Sequence, residues 1–205
     1  THTTESYMPT DSTSYDRNMS FRSRNESENM VAVGEVLAQQ LESMGIGVIH
    51  DKTVHDYPSY NGSYNAARKT IEQQLAQNPD IAMVLDLHRD AMMDGETGLM
   101  YKTVTQLEGE TYAQMMLVMG TDQGGLTHDN WRENLKMAFK VQDSLNNLVP
   151  NIARPVSLKQ ARYNEHATLN SLLVEMGTCG NTIEEAKRSA KVLGQAVGEI
   201  LLSTK

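Results

Sequence analysis

The chain has 205 residues, of which 39% are hydrophobic, so it is long enough to bury the core of one medium-sized domain. Its formal net charge of −8 argues against a general binder of nucleic acid, because such proteins need a surplus of Lys and Arg to neutralise phosphates. The one cysteine, Cys179, excludes an internal disulfide and a zinc site built from cysteines. No apolar run has the length of a transmembrane helix, so we expect one soluble domain.

The first part of the chain predicts alternating helices and strands. Residues 1–29 are rich in Ser, Thr, Asn and charge and have no periodicity, which indicates a long active-site loop. A helix is predicted over residues 28–45, where apolar side chains recur at helical spacing before a terminal glycine. A short strand at residues 46–51, a helix near residues 63–77 and a buried strand at residues 80–88 follow, in the order of a βαβ sheet.

The second part adds a hairpin, two strands and two helices. Residues 99–107 and 111–120 predict a hairpin or two neighbouring strands. A glycine-rich loop, a helix at residues 130–148, a strand around residues 154–158 and a second buried strand at residues 171–177 follow, and a helix from about residue 183 to residue 202 ends the chain. Together the elements predict an α/β fold with a mixed, mostly parallel twisted sheet and helices on both faces.

The segment DIAMVLDLHRDA, residues 80–91, carries the first candidate site residue. Its almost unbroken apolar run is typical of a strand buried on both faces, and the polar residues His88, Arg89 and Asp90 follow at its carboxyl end. Open α/β sheets gather ligands and catalytic groups just beyond the carboxyl ends of their strands, so His88 is a candidate site residue. Arg89 either stabilises the oxyanion of a tetrahedral intermediate or pairs with Asp90.

The segment SLLVEMG, residues 171–177, delivers a carboxylate in the same way. Three apolar residues precede Glu175, which emerges near the carboxyl end of the strand. A glutamate inside an apolar run carries a desolvation cost that a metal, a cation or a functional proton offsets. We interpret Glu175 as a candidate general base, with an arginine-paired or turn-capping carboxylate as the alternative.

Near the amino terminus, His2 and Glu5 form a His-x-x-Glu pair. On a turn, such a pair can place an imidazole nitrogen and a carboxylate oxygen on one cation, and His88 could supply a third ligand across the sheet. Two histidines, one carboxylate and an open position describe a catalytic zinc site, which lowers the pKa of a water molecule towards neutrality. Glu175 could then take the proton of that water and pass it to the leaving group.

Sequence blocks spanning nearly the whole chain resemble the stage II sporulation protein P family, the cell-wall hydrolases of forespore engulfment. The blocks are HTTESYMPTD, HDKTVHDYPSYNGSYNAARKTI, VLDLHRDA, GTDQGG with HDNWRENL, RYNEH and LLVEMGTCGNTIEEA. That family is similar to the zinc-dependent N-acetylmuramoyl-L-alanine amidases. The resemblance implies a zinc amidase-like α/β domain that cleaves the amide between MurNAc and L-Ala of the stem peptide, with an endopeptidase activity on cross-links.

The resemblance also implies roles for individual residues. The family motif HTHTTESY matches from Thr1, so its second histidine is His2 and its glutamate is Glu5, while its first histidine would precede Thr1. The LDLHRDA motif implies a zinc ligand at His88. The LLVEMG motif implies the catalytic acid/base at Glu175, beside which Arg89 is the second catalytic candidate.

Two other glutamates are candidates for the carboxylate ligand. In the broader amidase group it comes shortly before the first long helix, which here would be Glu26 or Glu28. We prefer Glu5, which lies inside the family's own motif, with Glu26 as the fallback. Among the other histidines, His55 and His166 are candidate substrate contacts.

The resemblance further implies a place of action and partners. We expect residues 1–205 to be a single catalytic domain of a protein that carries an amino-terminal membrane anchor and acts on peptidoglycan between the mother-cell and forespore membranes. A lytic transglycosylase and membrane proteins of the engulfment machinery are the expected partners, and nucleic acid is not. Two alternatives stay open: a zinc carboxypeptidase-type peptidase, and a catalytically idle peptidoglycan-binding or scaffolding domain.

Overall fold

The computed structural model describes residues 1–9 and 20–203, so the predicted amino-terminal loop lies partly outside the described residues. No helix in the described part of the chain is both long and apolar enough to cross a membrane. The elements in chain order are α1 Met30–Ser43, α2 Ser63–Gln77, β1 Val84–Asp90, β2 Val104–Leu107, β3 Glu110–Ala113, β4 Met116–Gly120, α3 Trp131–Leu148, β5 Ser157–Lys159, a 3-10 helix Glu165–Ala167, β6 Ser171–Thr178 and α4 Ile183–Ser203.

Four strands form the main sheet in the order β1, β6, β4, β5. β1 pairs with β6 in parallel and β4 pairs with β5 in parallel, whereas β4 and β6 are antiparallel. Two of the three pairings are therefore parallel, which confirms the predicted mixed, mostly parallel sheet. Because β1 and β6 are parallel neighbours, their carboxyl ends meet at the same edge of the sheet.

Side chains on β1 and β6 alternate between a core face and a site face, as the pleat of a strand requires. The core face carries apolar side chains that are buried in, or packed against, the hydrophobic core. The site face carries three polar side chains together with one leucine, and these residues are in register across the two strands. The core-face residues are Leu85, Leu87, Leu172, Val174 and Met176, and the site-face residues are Asp86, His88, Leu173 and Glu175.

The helices flank the sheet on both faces. α4 lies in the middle of the layer on the core face, where it packs against both α1 and α3. Val33 and Leu37 of α1 are buried and lie four residues apart, which gives the helix the apolar stripe predicted from its sequence. α2 lies on the site face, where the rings of Tyr64 and His88 are stacked with centroids 5.9 Å apart. The four predicted helices are confirmed to within two residues at their ends.

The predicted strand at residues 46–51 is wrong, because these residues form no strand pairing among the described residues. They line a cavity of about 980 Å³ together with residues of β1, α1 and α2. The place of this segment between two predicted helices fitted the order of a βαβ sheet, but that order carried no information on a partner strand.

The hairpin is confirmed, with shifted ends. Glu108 and Gly109 both have positive φ, which matches the twist of a two-residue hairpin turn between β2 and β3. Residues 111–120 divide into two strands, because Ala113 pairs with β2 whereas Met116 joins the main sheet beside β6. β1 begins four residues later than predicted, and β5 begins at Ser157, because strand pairing starts only where a neighbouring strand is in register.

Candidate metal centre

A turn at the start of the chain brings His2 and Glu5 together. The Glu5 N–H donates to the carbonyl oxygen of His2 at 3.1 Å, which closes residues 2–5 into a turn. The two side chains then share one side of the turn, with His2 Nδ1 3.3 Å from Glu5 Oε1, and both are buried. The local geometry predicted for the His-x-x-Glu pair is therefore present.

The Glu5 carboxylate is held in its ionised form. Its Oε2 accepts a hydrogen bond of 2.8 Å from the backbone N–H of Arg89. Burial raises the pKa of Glu5, but the hydrogen bond with His2 and the positive charges of His88 and Arg89 outweigh burial, and the pKa lies below its ordinary value. Glu5 thus offers a negatively charged oxygen in a buried position.

β1 supplies a third group of ligand type. The His88 ring lies 4.5 Å from the His2 ring, measured between centroids. Its Nε2 is 3.3 Å from Asp86 Oδ2 but makes no hydrogen bond of acceptable geometry with any described residue. One ligand atom from each of His2, Glu5 and His88 lies within 4.8 Å of the others. This trio forms a possible metal-binding site, and its two nitrogen ligands and one oxygen ligand suit a zinc ion.

Glu175 lies next to this trio because β6 is the parallel neighbour of β1. Its Cα is the register partner of the His88 Cα, and strands in such a pair are about 4.8 Å apart. Burial, with a further contribution from the charges of Glu5 and Asp90, raises the pKa of Glu175 to about 7. Its Oε2 is buried without a hydrogen-bond partner among the described residues. A carboxyl group of this kind can take up and release a proton near neutrality.

Arg89 contacts the backbone rather than the neighbouring carboxylate. Its guanidinium donates to the carbonyl oxygens of Phe21 at 3.1 Å and of Asp90 at 3.4 Å, and its Nε has no partner among the described residues. The Asp90 carboxylate pairs instead with Arg154 at 2.9 Å, so the predicted alternative of an Arg89–Asp90 ion pair is wrong. The register of β1 shifts between His88 and Asp90, and a local irregularity of this kind is not visible in the sequence pattern.

The two rival carboxylates lie outside the trio. Glu26 and Glu28 are both exposed. The Glu28 carboxylate accepts hydrogen bonds from Ser23 Oγ at 3.0 Å and from Asn25 Nδ2 at 2.9 Å, and it thereby closes its own surface turn. The geometry favours Glu5 as the carboxylate of the cluster.

The two histidines predicted as substrate contacts lie outside the trio as well. His55 Nε2 is 2.8 Å from Thr70 Oγ1, and burial lowers the pKa of His55. The His166 ring packs at right angles to the ring of His128, with centroids 6.3 Å apart. The geometry therefore gives no support to the prediction that His55 and His166 contact the substrate.

Several residues around the trio were missed by the sequence reasoning. Tyr60 and Tyr64 place their rings 4.6 Å and 5.2 Å from the ring of His2, and Tyr163 lies 5.7 Å from Tyr64. Ser63 Oγ lies 3.2 Å from His2 Nε2. The signal was present in YPSYNGSY, residues 57–64, which concentrates tyrosine and short polar residues at the start of a helix.

Comparison with known proteins agrees with the motifs that surround this site. The family model described as Stage II sporulation protein P matches residues 1–198. The chain belongs to the stage II sporulation protein P family. It is 30% identical to "Stage II sporulation protein P" of Bacillus subtilis (strain 168), over an alignment that covers 98% of this chain. The same alignment covers 49% of that relative, so this stage II sporulation protein P chain spans about half of the relative's length.

Proposed function

We propose that this stage II sporulation protein P domain is a zinc-dependent peptidoglycan hydrolase that cleaves the amide between MurNAc and L-Ala of the stem peptide. The observation that carries the proposal is the convergence of the buried trio His2, Glu5 and His88, with Glu175 in register beside it. Two imidazoles and one carboxylate are the donor set of a catalytic zinc site that keeps a position open for water or substrate. The choice of bond rests on the family resemblance.

Each side chain of the site has a role in this reaction. His2, Glu5 and His88 would hold the zinc ion, which when bound polarises the amide carbonyl and lowers the pKa of a water molecule. Glu175 accepts the proton of the attacking water and returns it to the amide nitrogen as the C–N bond breaks. Its pKa of about 7 supports this role, because a group that both gains and loses a proton works best near the ambient pH.

We propose that Arg89 stabilises the negative charge that develops on the amide oxygen during the reaction. Its guanidinium is held by the carbonyl oxygens of Phe21 and Asp90, and its buried Nε has no partner among the described residues. A fixed donor in a buried site stabilises a developing oxyanion more strongly than a mobile one. These contacts support Arg89 as a preorganised donor.

We also propose that residues 1–205 act as a single catalytic domain of a membrane-anchored protein in the engulfment of the forespore. A lytic transglycosylase is the proposed partner, since cleavage of stem peptides and cleavage of glycan together dismantle peptidoglycan. Both proposals rest on family membership.

The test is digestion of purified sacculi by the zinc-loaded protein, followed by mass spectrometry of the released products. An amidase releases intact stem peptides that begin with a free L-Ala amino group. A chelator should stop the release, and added zinc should restore it. Glu133→Gln, an exposed change on α3, is the control that should release the same products as the wild type.

Other products would identify the alternatives. Shortened or uncrosslinked peptides that stay attached to glycan would indicate a carboxypeptidase-type or endopeptidase reaction instead. Binding to sacculi without any released product, by protein that contains zinc, would overturn the hydrolase and favour an idle peptidoglycan-binding domain.

A further inference from the structure

The first turn of α2 and the residues just before it contact the ring of His2. Gly62 adopts φ of 90° immediately before the helix, and the Ser63 N–H donates to the Tyr60 carbonyl oxygen at 3.2 Å. This turn places the rings of Tyr60 and Tyr64 against the imidazole and leaves Ser63 Oγ 3.2 Å from His2 Nε2. Ser63 is 2% exposed, so water does not compete for this contact.

The two nitrogens of His2 face different partners. Nδ1 lies 3.3 Å from Glu5 Oε1, on the side of the trio, whereas Nε2 faces the hydroxyl of Ser63. A neutral imidazole has one N–H donor and one lone pair, so the two nitrogens must take opposite roles. Without a cation, an N–H on Nδ1 satisfies the Glu5 carboxylate, and Nε2 then accepts a hydrogen bond from the Ser63 hydroxyl.

A cation held between His2 and Glu5 requires the opposite arrangement. The lone pair must then lie on Nδ1, so the proton must reside on Nε2 and the partner of Nε2 must accept it. A serine hydroxyl can donate in the first state and accept in the second by rotating about one bond, which neither a carboxylate nor an ammonium group can do. Ser63 is thus compatible with both tautomers of His2.

We propose that Ser63 is a positioning residue that lets His2 change tautomer as zinc binds, so that Nδ1 is the nitrogen presented to the metal. The tilted ring of Tyr60 and the edge-on ring of Tyr64 pack against the imidazole and hold its plane while the proton changes sides. The inference rests on the proposed zinc site. It adds that Nδ1 of His2 is the coordinating atom and that Ser63 of α2 supports it.

The first experiment measures zinc affinity by competition with a fluorescent chelator. Ser63→Ala removes the hydroxyl and should weaken zinc binding by about 10- to 100-fold, the usual effect of losing a hydrogen-bond partner of a ligating histidine. Ser63→Thr keeps a hydroxyl and should recover most of the affinity. Ser189→Ala is the matched control, because Ser189 is a fully buried serine whose hydroxyl donates to the Ala113 carbonyl oxygen at 2.7 Å, and its loss should leave zinc affinity unchanged.

The second experiment uses only the wild-type protein and needs no activity. Long-range 15N–1H NMR of histidine-labelled protein reports which ring nitrogen of His2 carries the proton. We expect Nδ1–H in the metal-free protein and Nε2–H in the zinc-loaded protein. A zinc-loaded protein with the proton on Nδ1, or an unchanged zinc affinity of Ser63→Ala, would overturn this inference while the zinc site itself stands. Wild-type protein that binds no zinc would overturn both the inference and the proposed function.

Discussion

Two glutamates near the site, the buried Glu165 and the half-buried Glu175, differ in what their oxygens contact. Glu165 accepts hydrogen bonds from the backbone N–H groups of Gly120 at 2.6 Å and Leu173 at 3.2 Å, so both of its oxygens are occupied. Glu175 has a buried Oε2 with no partner among the described residues. Burial raises the pKa of both carboxyl groups, to about 8 for Glu165 and about 7 for Glu175. At the scale of single residues, the free oxygen therefore distinguishes the catalytic candidate from the structural glutamate.

Glu175→Gln should abolish most hydrolysis while leaving the fold and zinc content intact. The amide is nearly isosteric with the carboxylate but cannot take a proton from water, and general-base catalysis contributes about 10²- to 10⁴-fold to a rate. We expect a loss of that size in kcat for release of stem peptides from sacculi, measured beside zinc content and thermal unfolding. Glu184→Gln, a partly exposed change on α4, should retain wild-type kcat. Full activity of Glu175→Gln would exclude Glu175 as the base.

At the scale of elements, Glu165 joins three parts of the fold. It lies in the 3-10 helix, while its two partners belong to β4 and β6, and the Asn134 side chain of α3 donates to its carbonyl oxygen at 2.9 Å. The same loop carries Tyr163, whose ring lies 5.7 Å from Tyr64 on the site face. This connection holds the loop against the strands that deliver the site residues.

The free energy of unfolding should fall as pH rises, because Glu165 loses its proton in the folded protein. Its pKa is raised in the folded protein from 4.5 to about 8, so between these values the folded state binds the proton more strongly than the unfolded state does. This stabilisation is complete below pH 4.5 and is lost as pH rises through about 8, by an amount on the order of a few kcal/mol. Denaturant unfolding at a series of pH values measures it.

The variant Glu165→Gln should remove that part of the pH dependence, because glutamine does not titrate. We expect the free energy of unfolding of Glu165→Gln to fall less than that of the wild type between pH 5 and pH 8. Glu133→Gln makes the same chemical change at an exposed position of α3 and should keep the wild-type slope. Equal slopes for wild type and Glu165→Gln would show that Glu165 is already ionised in the folded state at pH 5.

At the scale of the whole molecule, local patterns predicted elements better than their arrangement. Helical periodicity predicted α1 to within two residues at each end, and the apolar runs located β1 and β6. Strand order was not predictable, because pairing joins residues far apart in sequence, as His88 and Glu175 show. Residues 46–51 were predicted as a strand from the order of the elements, but they have no partner strand in the described part of the chain.

The site was predictable where a motif or a strand end marked it. His2, Glu5 and His88 were predicted from a short motif and an apolar run, and the structure brings all three together. Ser63 and Tyr64 were missed because their contacts with His2 depend on how α2 packs over the site face. A contact set by tertiary packing leaves no periodic signal in the residues that make it.

Zinc should stabilise the whole domain, because the three proposed ligands come together only when the chain is folded. His2 and Glu5 lie at the start of the chain and His88 lies at the end of β1, so unfolding separates the trio. Zinc at 100 times its Kd adds about 2.7 kcal/mol to the free energy of unfolding. In a protein of this size, that corresponds to a rise in Tm of about 5–10 °C.

The rise in Tm should disappear in His88→Ala and persist in His50→Ala, when both are measured by thermal unfolding with and without zinc. His88→Ala removes one of the three proposed ligands, whereas His50 lies outside the trio, with its Nδ1 3.4 Å from Glu35 Oε2. An equal zinc-dependent rise in wild type and His88→Ala would mean that the ion binds elsewhere on this acidic protein. If the zinc-dependent rise in Tm is lost in His88→Ala but kept in His50→Ala, zinc stabilises the fold by binding between the end of β1 and the amino-terminal turn.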